Sequence, residues 1–237
     1  MREPTLYVAL NLDPPENTPE KILALARQLN RVEGNFGYKL NGDFLSKYGI
    51  GNVVPDFAKL GRPVFADMKM LKGKSSMGNM IDDLSESGAN YTNLYALARR
   101  DFIEKSAKRA EEQGMKLLAV TVLTYETDDT CMENYGRNMR DSVKFFAEKA
   151  HSAGCHGLIL PSTTLSVVEH LDMEKFTPGI RPTWDPKYGD QKQVLTPSDA
   201  LRGGADSIVI GGTICDNENP TVALERVLDE MNSVKKD

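Results

Sequence analysis

The chain has 237 residues and a mass of 26.2 kDa, with 40% hydrophobic and 27% charged residues, which is ordinary for a soluble globular protein that buries a full core. Its net charge of -5 argues against a nucleic-acid binder that works by broad electrostatics, and no stretch approaches the ~18 apolar residues of a membrane span. Cys131, Cys155 and Cys215 show no paired spacing, which argues against a disulfide framework or a zinc site and fits a cytoplasmic protein.

Met1-Arg2-Glu3-Pro4 is not followed by a long apolar run, so no signal peptide is expected. Short apolar runs then alternate with longer amphipathic stretches. Residues 6–12 predict a first strand. Thr18 as N-cap, Pro19 at the first helical position and Glu20 in the first turn predict a helix over 19–32. Residues 36–40 form a second strand, 44–60 a glycine-interrupted helical segment and 63–70 a third strand. A helix over 77–87 stops at Gly88. Strand 90–96 is followed by a helix over 101–113, and strand 116–124 by a helix over 138–153. Strand 157–160 leads to a helix over 164–171, strand 176–180 to a short helix over 197–202, and strand 207–210 to a closing helix over 220–231.

These are eight strand–helix pairs, which imply right-handed crossovers and a parallel sheet. Eight repeats point to a single-domain (β/α)8 TIM barrel over 1–237, with an open doubly wound sheet as the alternative.

In a barrel the chemistry sits at the C-terminal ends of the strands. The candidates are therefore Asn11, Lys39, Asp67, Lys69, Tyr95, Thr124, Pro161, the stretch from Gly179, and Gly211-Gly212. Alternation puts Asp67 and Lys69 on one face of the third strand, with Met68 on the other. Lys39 ends the adjacent strand. A Lys–Asp–Lys array can stabilise a developing anion, and one ammonium can deliver a proton. The same array can equally be an ion-pair network that plugs the barrel. Gly179 and Gly211-Gly212 either serve tight turns or let backbone N–H groups face a phosphate.

Other features have plainer readings. Lys72-Gly73-Lys74-Ser75-Ser76 is either an anion-binding loop or a helix start capped by Ser75 or Ser76. The acidic run Glu126-Thr127-Asp128-Asp129 is expected to be a solvated loop. His151, His156 and His170 are expected to be structural, Cys155 and Cys215 to be small buried residues, and Arg99-Arg100 to be surface charge or to approach the site from its loop. Trp184 either closes over a base or packs its own loop.

Together these residues resemble the orotidine 5′-monophosphate decarboxylase family. The match runs through Val8-Ala9-Leu10, Lys39, Asp67-x-Lys69 and Leu123-Thr124. Its most specific part is Pro178-Gly179-Ile180-Arg181-Pro182 through Gly189-Asp190-Gln191 to Thr196-Pro197. Gly204-Ala205-Asp206 and Ile208-Val209-Ile210-Gly211 follow at the family's spacing, so the resemblance covers nearly the whole chain.

The resemblance implies a (β/α)8 barrel that works as a homodimer, with a nucleotide substrate and no metal or organic cofactor. It implies a lyase of pyrimidine biosynthesis that removes the carboxylate from C6 of the pyrimidine and forms uridine 5′-monophosphate. Lys69 would protonate the C6 carbanion, Asp67 would lie beside the departing carboxylate, and Lys39 would complete the array near the ribose. Substrate-binding roles fall by the same resemblance on Asn11, Lys72, Thr124, Pro161, Gly179, Arg181, Thr183, Gly211 and Gly212.

Five ligand positions depart from the family pattern. Asn11 and Lys72 stand where the family has aspartates, Tyr95 where it has histidine, Thr183 where it has glutamine, and Gly212 where it has a phosphate-pairing arginine. The departures admit a divergent decarboxylase, with Lys72, Lys74 or Arg181 replacing lost contacts. They also admit a superfamily enzyme with a changed substrate, either non-phosphorylated or carrying a different anion, or an inactive binding barrel.

Overall fold

The computed structural model describes residues 3–185 and 195–234. Eight parallel strands close into a barrel in chain order, which is the (β/α)8 architecture and excludes the open sheet. They are β1 (Thr5–Ala9), β2 (Phe36–Asn41), β3 (Val64–Met70), β4 (Tyr91–Tyr95), β5 (Lys116–Val120), β6 (Gly157–Ile159), β7 (Glu174–Pro178) and β8 (Ser207–Ile210). Closure is direct: Ala9 of β1 lies against Lys39 of β2, and Leu6 against Ile208 of β8.

Strand alternation divides the core in two. Leu6, Val8, Leu40, Val64, Leu117 and Ile208 face outward into the layer shared with the helices. Tyr7, Phe65, Leu118, Val120, Phe176 and Val209 face inward and fill the barrel. The rings of Tyr7, Phe65, Tyr91 and Phe176 meet at centroid distances of 5.3–6.0 Å. Beneath them lies a polar floor at the first residues of three strands. There Lys116 pairs with Glu174, and the Tyr91 hydroxyl donates to Glu174 at 3.2 Å. The lower and middle barrel is thus filled, and the open space is left at the C-terminal end.

The outer ring begins with α1 (Pro19–Leu29), where the Thr18 side chain accepts from the Lys21 N–H as its cap. The predicted segment 44–60 is two helices, α2 (Gly42–Tyr48) and α3 (Ile50–Ala58). The chain turns between them at Gly49, whose φ of 90° lies in the left-handed region. α4 (Lys74–Glu86) starts from Gly73, so neither Ser75 nor Ser76 is its cap. α5 (Arg100–Glu112) and α7 (Met139–Ser152) follow prediction.

The acidic run after β5 is loop only at Glu126 and Thr127. It opens α6 (Asp128–Tyr135), with Thr127 and Thr130 capping each other reciprocally and Asp128 accepting from the Met139 N–H. Only Cys131 of α6 is buried, so it lacks the apolar stripe that marks a helix in sequence. The segment predicted as a helix over 164–171 is a six-residue 3-10 turn, Ser162–Val167. α8 (Pro197–Arg202), the four-residue α9 (Gly212–Cys215) and α10 (Pro220–Ser233) complete the ring. No described helix is long and apolar enough to cross a membrane.

Inside β2, Gly37 makes room for the barrel filling. A Cβ there would stand 2.5 Å from the Pro63 carbonyl oxygen and 2.9 Å from the Tyr7 ring. Gly37→Ala is therefore expected to cost about 1–3 kcal/mol through overpacking against backbone. Thermal unfolding should show a fall of several degrees, and an unchanged Tm would mean the strand pair relaxes freely.

Candidate active site

The C-terminal ends of β2, β3 and β4 converge on one buried carboxylate. Asp67 is 7% exposed. Its Oδ2 accepts from Lys39 Nζ at 2.8 Å and from Lys69 Nζ at 2.8 Å, and its Oδ1 accepts from Asn93 Nδ2 at 2.7 Å. Lys39 also donates to Asn41 Oδ1. Burial pushes the Asp67 carboxyl up, but the two ammonium groups and their hydrogen bonds outweigh it and hold it well below the usual carboxylate range. Burial pulls Lys39 down from the ordinary lysine value, and Asp67 opposes that pull without cancelling it.

The two lysines are not equivalent. The Lys39 side chain is 10% exposed, a charge sealed in the wall, whereas that of Lys69 is 39% exposed and reaches the opening. Lys69 and Asp67 meet as expected, but plain strand alternation is not the reason. Lys69 has a φ of 47°, the single positive value among the described non-glycine residues. The β3–β4 register also shifts between Ala66 and Met70. The chain has left regular extended geometry at the residue that carries the ammonium.

The array lines a cavity of about 280 Å³ instead of plugging the barrel. Phe65, Val120, Val122, Leu123, Ile159 and Val209 give it an apolar floor and wall. Asn11, Lys39, Asp67, Lys69, Asn93 and Thr124 give it polar groups, and Tyr125 stands at its edge, 56% exposed. A second cavity of about 240 Å³ adjoins it and shares Asn11, Lys39, Pro178 and Val209. Gly179, Arg181, Gly211, Gly212 and Thr213 line this second lobe. Thr213 Oγ1 and Arg181 Nε are buried without a hydrogen-bond partner among the described residues. The Arg181 N–H donates to the Leu195 carbonyl, and its guanidinium lies 4.0 Å from Asp185. The site is therefore an apolar-walled chamber with a charge array, joined to a lobe with anion-seeking donors.

Lys72, Thr183, Pro161 and Tyr95 line neither cavity. Lys72 is exposed in the β3–α4 loop, and Thr183 is exposed after β7. Pro161 is buried at the start of the 3-10 turn, where its carbonyl accepts from the Thr164 N–H and hydroxyl. Tyr95 is half-buried at the end of β4, its hydroxyl pushed up first by burial and then by nearby groups that include Asp67. Gly189, Asp190 and Gln191 lie outside the described residues. Asn93 and Asn41 were not among the sequence candidates. A polar asparagine inside the strand phrase Tyr-Thr-Asn-Leu-Tyr was the signal available for Asn93.

The remaining features take plain roles. Trp184 packs its loop, with the Arg226 guanidinium 4.1 Å over its ring. His156 Nδ1 accepts from the Leu117 N–H. Cys155 and Cys215 are buried, and burial pushes both thiols up to about 12. Arg99 pairs with Asp101 and Arg100 with Glu104 on the surface. Among the described residues no cluster of three or more His, Cys, Asp or Glu side chains is placed to hold a metal ion.

Comparison with known proteins agrees with this fold. The family model described as orotidine 5′-phosphate decarboxylase / HUMPS family matches residues 4–227. The orotidine 5′-phosphate decarboxylase of Streptococcus mutans is 29% identical over 238 residues, covering 98% of this chain and 100% of that protein. That of Streptococcus pneumoniae is 32% identical over 189 residues, covering 77% of this chain and 80% of that protein. The crystal structure of orotidine 5′-phosphate decarboxylase from Lactobacillus acidophilus superposes with a TM-score of 0.78 at 27% identity, over 98% of this chain and 100% of that one. An uncharacterized conserved protein from Geobacillus kaustophilus gives the same TM-score at 20% identity, over 96% and 100%, a likeness of fold.

Proposed function

The chain belongs to the orotidine 5′-phosphate decarboxylase / HUMPS family, and from that premise we propose that it is a carbon–carbon lyase acting on orotidine 5′-monophosphate. The observation that carries this reading is the ionised, buried Asp67 held between two ammonium groups at 2.8 Å beside an apolar-walled chamber.

The chemistry follows from that charge pattern. Loss of carbon dioxide breaks the bond between C6 and the carboxylate, and leaves the bonding electron pair on C6. Fixed positive charge near that carbon lowers the barrier because no solvent has to reorganise as the carbanion forms. Lys39, sealed in the wall, supplies fixed charge. Lys69, which reaches the opening, transfers a proton to C6 and becomes a neutral amine, then regains its proton from water. Asp67 holds both ammonium groups in place and sets a negative charge near the departing carboxylate. The apolar walls suit the faces of a flat ring, and Asn11 and Thr124 offer hydrogen bonds along its edge and to the ribose.

In the adjoining lobe, Arg181 and Thr213 take the phosphate together with backbone N–H groups around Gly179, Gly211 and Gly212. Arg181 thereby stands in for the arginine missing at Gly212. Arg181→Ala is expected to raise KM by about tenfold or more, since a charge-assisted hydrogen bond contributes about 1.5–3 kcal/mol. A KM within twofold of the parent would take Arg181 out of phosphate binding. The same membership supports a cytoplasmic homodimer that works without metal or organic cofactor.

The direct test follows the ultraviolet change as orotidine 5′-monophosphate becomes uridine 5′-monophosphate. Turnover by the purified chain supports the reading. No turnover at high enzyme concentration overturns this substrate, and favours the second reading that Gly212 motivates, a different carboxylated or enolisable anion handled by the same Asp67–Lys69 pair.

A further inference from the structure

We propose that Asn93 is the positioning residue of the charge array: its side-chain amide fixes both the backbone of Lys69 and the carboxylate of Asp67. The inference rests on the reading of Lys69 as the proton donor, and it assigns a residue that neither touches the reacting carbon nor carries charge.

The ladder between β3 and β4 shows why such a residue is needed. Ala66 pairs with Thr92, and the next pair is Met70 with Leu94. Three residues of β3, Asp67, Met68 and Lys69, therefore stand opposite one residue of β4, Asn93. A bulge of that size takes backbone groups out of the ladder, and buried groups must find other partners. Asn93 provides one. Its Oδ1 accepts from the Lys69 N–H at 2.6 Å, and its Nδ2 donates to Asp67 Oδ1 at 2.7 Å. Asn93 is fully buried, and its amide is committed to these two bonds.

The chemistry of the amide makes the assignment specific. One neutral group must present an acceptor to an N–H and a donor to a carboxylate, and the asparagine side chain does so in one orientation only. A hydrocarbon of the same size offers neither. A carboxylate offers the acceptor but repels Asp67. The bond to the Lys69 N–H also acts on the residue held at a φ of 47°, a conformation long side chains seldom adopt without outside support. That turn directs Lys69 Nζ back onto the carboxylate two residues earlier, at 2.8 Å. Asn93 thus ties together the two ends of the short loop that carries the proton donor.

Two variants test this. In Asn93→Leu, hydrogen exchange of the Lys69 amide, read by NMR, is expected to quicken by about 10²-fold as its partner is lost. In the same variant kcat should fall by about 10²-fold with KM within about threefold, the pattern of a misplaced catalytic group. Unchanged protection of that amide, or a kcat within threefold of the parent, overturns the proposal. Asn93→Asp supplies a variant of near-identical size should the leucine not fold. Its new carboxyl faces Lys39 from β2, Asp67 and Lys69 from β3, and Tyr95 on its own strand. It can donate to Asp67 only while protonated, so its kcat relative to the parent should climb about tenfold from about pH 8 to about pH 6. A flat ratio overturns the proposal. If the parent itself does not turn over orotidine 5′-monophosphate, the functional reading fails, and the amide exchange in Asn93→Leu still decides the role of Asn93.

Discussion

Replacing Lys69 by alanine is expected to lower kcat for decarboxylation by about 10⁴-fold while leaving the barrel folded. Two contributions are lost at once. General-acid catalysis by a positioned group is worth about 10²–10⁴-fold. Removal of a fixed charge from a water-poor site costs about 10²–10³-fold more, and the two overlap because one ammonium supplies both. Stability should move little. The side chain is 39% exposed, so its removal opens no sealed void, and Asp67 keeps its bonds from Lys39 and Asn93. Lys69→Arg separates the contributions. A guanidinium keeps the charge but gives up no proton at neutral pH. That variant should hold KM near the parent value and still lose most of kcat. The measurement is the steady-state ultraviolet assay with circular dichroism as the folding control. Undiminished turnover in Lys69→Ala would remove Lys69 from the mechanism.

Much of this site was legible because barrel architecture turns strand order into spatial order. Lys39, Asp67 and Lys69 could be brought to one rim from the spacing of two strands. Asn11 and Thr124 were found in the same way, from where strands end. The glycines after β7 and β8 likewise line the second lobe with Arg181. What stayed hidden is local geometry that leaves no periodic trace. The positive φ of Lys69 and the shifted β3–β4 register cannot be read from Asp-Met-Lys. Asn93 looked like one polar residue in an ordinary strand because its two bonds reach 24 and 26 residues back in the chain. α6 was missed because its one buried residue gives no helical stripe. Lys72 and Thr183 came from resemblance alone, and Pro161 from the expected end of the sixth strand. Loop residues owe their positions to contacts that the strand pattern does not encode, and none of the three lines either cavity.

Replacing Asp67 by leucine is expected to damage stability and activity together. It leaves Lys39 as a charge sealed in the wall, with Asn41 as its remaining partner among the described residues. It also strands the Nδ2 donor of Asn93. Breaking one side of a buried ion pair costs about 3–5 kcal/mol. For a chain of this size that lowers Tm by roughly 10 °C. The pH dependence has a definite sign. Folding holds the Asp67 carboxyl below its unfolded value, so its contribution is full above the ordinary aspartate range and is lost as pH falls through the lower folded value. In the variant, burial acts on Lys39 without an opposing carboxylate. Its folded value then lies further below the unfolded one, so the variant gains stability as pH rises toward the lysine range. The gap between parent and variant should therefore be widest near neutrality and narrow on both sides. The double variant Lys39→Met with Asp67→Leu removes both charges at similar volume and should recover most of the lost Tm. It should recover none of the turnover. A double variant as unstable as Asp67→Leu alone would show that the pair is not the source of the loss. A double variant that regains activity would show that the array is structural, leaving Lys69 to act without it.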